Sequence, residues 1–158
     1  MPTPEDTPPL TPRQVFELIR ESSIHRNIPV EDLYAPDGVH EWPFPLPGGP
    51  GRLNGREEIR AFYAAGHERH SEVEFHEFRN VVIHETTDPE VIIAEYDIPG
   101  RYTPTGESFV FSYILVLRVR DGKIIHLRDY LNPLAMTQVL TGATKHAESH
   151  GDGAPAAL

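Results

Sequence analysis

The chain has 158 residues, enough for one domain with a sizeable core. A formal net charge of −10, from 24 acids against 14 Lys plus Arg, would repel nucleic acid and anionic membrane surfaces. The absence of Cys removes disulfide and thiolate chemistry and fits a reducing cytoplasm, and neither a membrane span nor a signal-peptide core is expected.

Residues 1–10 hold Pro2, Pro4, Pro8 and Pro9 with little to bury, and read as a disordered arm. Thr11-Pro12-Arg13-Gln14 predicts a helix start, with Thr as N-cap, Pro at the first helical position and Gln three residues on. Val15, Phe16, Leu18 and Ile19 form its apolar face. A second short helix is expected over 29–34, then a turn at Pro36-Asp37-Gly38 and a short strand from Val39 to Phe44. Loop 45–51 is too rich in Pro and Gly for regular structure, and Asn54 with Glu57 predicts a helix running to about Arg69.

Longer strands are predicted near 72–84, 90–98 and 108–120. Asp121-Gly122 then signals a two-residue type I′ hairpin leading into 124–131. Asn132-Pro133 opens a last helix, expected to stop at Gly142, and 143–158 reads as a flexible tail. Helices first and mostly antiparallel strands after predict an α+β fold, with three N-terminal helices on one face of a curved sheet around a cone-shaped cavity.

The hairpin carries the strongest chemical signal. Strand side chains alternate with period two, so Ile125, Leu127, Asp129 and Leu131 share a face that is apolar except for one carboxylate. An unpaired buried carboxylate costs several kcal/mol in order-of-magnitude terms or moves its pKa upward. The hairpin register predicts Arg120 opposite Lys123, and hence Asp129 opposite Ile114, with Ser112 and Val116 on the same face. Ser112 is then a candidate hydrogen-bond partner of Asp129. The other face, with Phe111, Tyr113, His126, Arg128 and Tyr130, reads as the interface of a homodimer.

On the first strand His40, Trp42 and Phe44 share a parity that points into the cone. His40 is a candidate proton carrier or a hydrogen-bonded core residue; Trp42 either stacks on a flat ligand or fills the core. Tyr96 lies on the apolar parity of its strand and either offers a hydroxyl to a ligand or fills space. Asp129 also has structural alternatives, an ion pair with Arg101 or Arg118, or a cap on the last helix. A pair with Glu41 stays open, and His76 has no readable direction. His67 and His70 have the spacing of a helical pair, but no third metal ligand is placed near them.

Glu85-Thr86-Thr87-Asp88-Pro89, Ala94-Glu95-Tyr96, Asp121-Gly122-Lys123-Ile124 and Arg128 to Pro133 resemble the phenazine-biosynthesis A/B proteins. Those belong to the SnoaL-like branch of the NTF2-like superfamily, alongside polyketide-cyclase-like proteins. Glu41 to Phe44 and Asn54 to Glu57 also resemble SnoaL-like domains. The resemblance spans roughly residues 12–142 and implies an NTF2-like cone, commonly a dimer. It also implies a general acid/base at Asp129, where the phenazine proteins carry Glu. Their helix His matches Phe62, their Ser falls near Gly66, and the steroid-isomerase Asp matches Trp42, departures that point away from both of those chemistries.

Together these readings predict an enzyme without cofactor, a cyclase, isomerase or hydratase/dehydratase on a small apolar or aromatic metabolite of secondary metabolism. Asp129 and His40 are the expected catalytic residues, with Trp42, Phe62, Tyr96, Ser112, Ile114 and Leu127 contacting substrate. A small-molecule binding protein using the same pocket, or a structural dimer with a filled pocket, are the competing readings.

Overall fold

In the computed structural model, which describes residues 7–69 and 71–149, seven strands form one strongly curled mixed sheet with three α-helices. Helix α1, Pro12–His25, starts where the capping box places it. The Gln14 amide donates to Thr11 Oγ1 at 3.3 Å, and the Thr11 amide to Gln14 Oε1 at 2.9 Å. The segment expected as a second helix is a single 3₁₀ turn, Val30–Leu33. It stays short because β1 begins at once, spanning Tyr34–Glu41.

Pro36-Asp37-Gly38 therefore lies within β1, at an irregularity between its two stretches of pairing, where a Pro without a ladder donor is tolerated. Gly38 is required there, because a Cβ would sit 2.6 Å from the Ile124 carbonyl. The Pro/Gly loop returns through a short edge strand β2, Arg52–Asn54, to α2, Arg56–Arg69. The cap lies one residue beyond the expected place. Gly55, at φ 92°, precedes the helix, and Glu58 rather than Glu57 accepts the Asn54 amide at 2.7 Å.

The predicted strand 72–84 is two, β3 (Val73–Phe75) and β4 (Arg79–Glu85), both paired antiparallel to β5 (Val91–Tyr102). Asn80, at φ 53°, marks a second irregularity in β4, and such bulges bend a sheet. Strand β6 (Glu107–Arg120) and β7 (Lys123–Leu131) form the hairpin, and α3 (Pro133–Ser149) follows. Asn132 caps α3 through the Leu134 and Ala135 amides, and the helix runs through Gly142 instead of ending there. A helical Gly costs only about 1 kcal/mol against Ala. Of the three N-terminal helices expected, two are thus α-helices and the middle one is the 3₁₀ turn, while the expected C-terminal helix is the third α-helix.

The sheet order is β2-β1-β7-β6-β5-β3, with β4 also on β5. β1 runs parallel to β7, and the remaining pairings among the described residues are antiparallel. The α1 side chains Val15, Phe16 and Ile19 and the α2 side chain Ile59 are buried against the inner face, beside Ile92, Ala94, Leu115, Leu117 and Leu127. No helix among the described residues is long and apolar enough to cross a membrane.

Candidate active site on the inner face

The hairpin turn has the expected type: Asp121 and Gly122 both take positive φ, 50° and 75°, and Arg120 pairs with Lys123. Two residues later the register slips. Val119 pairs with Ile124 but Arg118 pairs with His126, which leaves Ile125 as an extra residue. Asp129 consequently faces Leu115 instead of Ile114, and Leu127 faces Leu117. The odd-numbered β6 residues Phe111, Tyr113, Leu115 and Leu117 share the inner face with Leu127 and Asp129.

Ser112 and Ile114 accordingly lie on the outer face, against expectation. Ser112 Oγ donates to Asp97 Oδ1 at 2.6 Å, and Ile114 is 42% exposed. Phe44 also departs from its predicted parity, because β1 ends at Glu41. Phe44 is exposed and meets the Tyr130 ring at 5.9 Å. Glu41 faces outward and bonds His126 at 2.7 Å, so it forms no pair with Asp129. His76 is half exposed beside Glu74. The arginines that would have neutralised Asp129 are engaged elsewhere, Arg118 with Asp88 at 2.9 Å and Arg101 with Glu74 at 2.8 Å.

What remains around Asp129 is a small polar centre inside an aromatic shell. β1 and β7 run in parallel with His40 beside Leu127, which puts His40 Nε2 at 3.7 Å from Asp129 Oδ2. The His40 side chain is 2% exposed and that of Asp129 is 15%. Neither His40 Nε2 nor Asp129 Oδ1 has a hydrogen-bond partner among the described residues. Two buried unsatisfied polar atoms on neighbouring side chains are unusual, since each costs about 1–3 kcal/mol or more if charged.

The other imidazole nitrogen is satisfied. Tyr34 Oη lies 2.8 Å from His40 Nδ1. Trp42 covers the imidazole with its centroid 4.1 Å away, and Phe62, at the solvent rim, packs on Trp42 at 5.0 Å. Tyr63 meets His40 edge-on at 6.1 Å. Tyr96 is sandwiched between Phe78 at 4.5 Å and Tyr113 at 5.3 Å. Burial pushes the hydroxyls of Tyr34, Tyr63, Tyr96 and Tyr113 upward, and the Asp129 charge pushes each further. All four stay protonated, and so remain donors, at any physiological pH.

His40, Asp129, Trp42, Phe62, Tyr96 and Leu127 therefore converge. Tyr34, Tyr63 and Tyr113 join them unforeseen. Tyr63 was legible as the residue one helical turn after the buried Ile59; Tyr113 was hidden by the bulge, and Tyr34 by the reading of its segment as helix. An apposed acceptor and donor in dry surroundings can move a proton to or from a neutral organic molecule. Among the described residues no group of three or more His, Asp or Glu is arranged to hold a metal ion; His70 lies outside them.

Two open concavities are present, the larger bordered in part by Tyr96 and Tyr113 of the aromatic shell. A groove of about 590 Å³ on the outer face runs past Phe44, Val82, Asp97, Ile114 and Tyr130. A smaller one of about 300 Å³ lies between α1 and the β3–β4 bend, bordered by Glu17, Arg20, His25, His76 and Phe78.

The SnoaL-like domain matches residues 25–127. An uncharacterised PhzA/B-like protein of Pseudomonas aeruginosa is 39% identical over 117 residues, covering 74% of this chain and 80% of that one. A crystal structure of a proposed isomerase from Bacillus subtilis superposes with a TM-score of 0.71 at 23% identity, covering 92% and 96% of the two chains. A phenazine biosynthesis-related protein of Pseudomonas aeruginosa does so with a TM-score of 0.65 at 18% identity, covering 82% and 84%. The chain thus has relatives both in sequence and in fold, and it belongs to the SnoaL-like family.

Proposed function

We propose that the protein is a cofactor-free acid/base catalyst of the isomerase or cyclase type, acting on a neutral carbonyl compound with an aromatic or apolar body. The observation that supports this most is the buried His40–Asp129 pair, in which His40 Nε2 stands 3.7 Å from Asp129 Oδ2 and neither Nε2 nor Asp129 Oδ1 has a hydrogen-bond partner among the described residues. In the step we envisage, Asp129 removes a proton from the carbon next to the carbonyl. The C–H electron pair becomes a C=C bond and the carbonyl π pair moves onto oxygen, which accepts a hydrogen bond from His40. Where a C=C is conjugated with the enolate, return of that proton to its far carbon completes an isomerisation; alternatively the enolate carbon attacks a second carbonyl, whose oxygen takes the proton back from Asp129 to complete an aldol cyclisation. Such positioned proton transfer contributes roughly 10²–10⁴ in rate. No Lys or Arg reaches Asp129 among its described contacts, so a carboxylate or phosphate on the reacting part of the substrate would be repelled.

Trp42 and Phe62 close the centre and would move aside or stack on an entering ring; their closure excludes water from the reaction. The same closure supports the second reading, a binding protein that holds such a molecule without transforming it. The dimer belongs to the proposal as well, through the exposed outer-face side chains Phe44, Val82, Val110 and Ile114.

The test is exchange of α-protons for deuterium in a panel of aryl 1,3-diketones, followed by NMR with wild type and Asp129→Asn. Wild type should accelerate exchange and the variant should lose roughly 10²–10⁴ of that acceleration. Equal exchange by both proteins would sink the catalytic reading, while retained ligand binding without exchange in wild type would establish the binding one.

A further inference from the structure

Tyr34 occupies an unusual position for a residue with a polar tip. It is fully buried, it follows the 3₁₀ turn directly, and its backbone carbonyl is gripped by the Arg56 guanidinium, Nε at 2.9 Å and Nη2 at 2.6 Å. The first residue of α2 thus anchors the first residue of β1. The ring stacks near the His40 imidazole with an interplanar angle of 27°, and the hydroxyl is 2.8 Å from Nδ1.

The direction of that bond follows from counting donors. Burial keeps the Tyr34 hydroxyl protonated, so its hydrogen must go to some acceptor. Nδ1 of His40 is the one acceptor it meets among the described residues. Were Nδ1 the donor instead, the phenolic hydrogen would be orphaned in the core at a cost of about 1–3 kcal/mol. Nδ1 is therefore the acceptor, and a neutral imidazole must carry its hydrogen on Nε2, the nitrogen turned towards Asp129.

We propose that Tyr34 is a positioning residue that locks His40 as the Nε2–H tautomer, so that His40 presents a hydrogen-bond donor and Asp129 alone can act as base. The consequence for the ligand rests on the catalytic reading above. The atom placed against His40 must be an acceptor, and the group against Asp129 must carry an acidic hydrogen. A ketone with an adjacent acidic C–H, or its enol, meets both demands, whereas an amine or a carboxylate meets only one.

The lock is tested without any substrate. In protein labelled with ¹⁵N-histidine, long-range ¹H–¹⁵N correlation spectra distinguish a protonated from an unprotonated ring nitrogen, and His40→Gln identifies the His40 signals by their loss. Wild type should show Nε2 protonated and Nδ1 unprotonated and hydrogen-bonded. In Tyr34→Phe the Nδ1 resonance should move downfield, towards a nitrogen that accepts no hydrogen bond. A protonated Nδ1 in wild type overturns the proposal, as does an Nδ1 resonance that Tyr34→Phe leaves in place. Should Tyr34→Phe fail to fold, the wild-type pattern decides by itself. In the exchange assay Tyr34→Phe should lower kcat about tenfold with KM little changed, the rate equivalent of one neutral hydrogen bond. A correct tautomer with no exchange in wild type would remove the catalytic reading and leave the lock standing.

Discussion

Strands β1 and β7 carry two His–carboxylate pairs on opposite faces of the sheet, with the roles of the two strands exchanged. On the outer face Glu41 of β1 meets His126 of β7 at 2.7 Å, with side chains 28% and 35% exposed. On the inner face His40 of β1 meets Asp129 of β7 at 3.7 Å, nearly sealed from solvent. The outer pair is short, wet and supported, since Arg128 and Arg52 each approach Glu41 at 3.9 Å. The inner pair is long, dry and unsupported. A carboxylate that serves structure is given partners, and a carboxylate held without partners in an aromatic shell is available for something else.

That contrast makes the signs of two substitutions opposite. Removing the inner charge relieves an unpartnered buried carboxylate, so Asp129→Asn should raise unfolding stability by about 1–3 kcal/mol in urea titrations. A loss of similar size would show that the carboxylate is satisfied in solution and would break the comparison. Removing the outer charge weakens a partly exposed, charge-assisted bond, so Glu41→Gln should lower stability by about 0.2–1 kcal/mol. It should also leave α-proton exchange at the wild-type rate, because Glu41 faces away from the inner centre.

Much of this arrangement was legible because alternation is local. Leu127, Asp129 and Leu131 keep a common parity whatever β6 does, so the inward carboxylate followed from a few residues. The cross-strand partners did not follow, because one extra residue, Ile125, moves every pairing beyond it by one. Nothing in the composition of Ile124-Ile125-His126 signals a bulge, and Ser112 and Ile114 were assigned to the wrong face for that reason alone. The capping box of α1 and the turn type at Asp121-Gly122 were read correctly, being fixed by backbone chemistry within four residues. The helix count was not, since a 3₁₀ turn and a helix share their first signals, and Gly142 inside α3 carries too small a cost to end it. The tyrosines around Asp129 come from β1, α2, β5 and β6, and only the curl of the sheet brings them together.

The smallest effect is also the one that isolates the outer pair. The hydrogen bond from His126 holds the Glu41 carboxyl below its ordinary range, with the charges of His126, Arg128 and Arg52 adding to it. A group lowered in the folded state contributes fully above its unfolded value, about 4.3 for Glu, and loses that contribution as pH falls through the lowered folded value. The stability gap between wild type and Glu41→Gln should therefore shrink as the pH falls below about 4. Urea unfolding of both proteins across that fall in pH measures it. A gap that widens on acidification would mean that folding disfavours the Glu41 charge. The outer carboxylate would then be as poorly partnered as the inner one, and the distinction between a structural and an available acid would lose its physical basis.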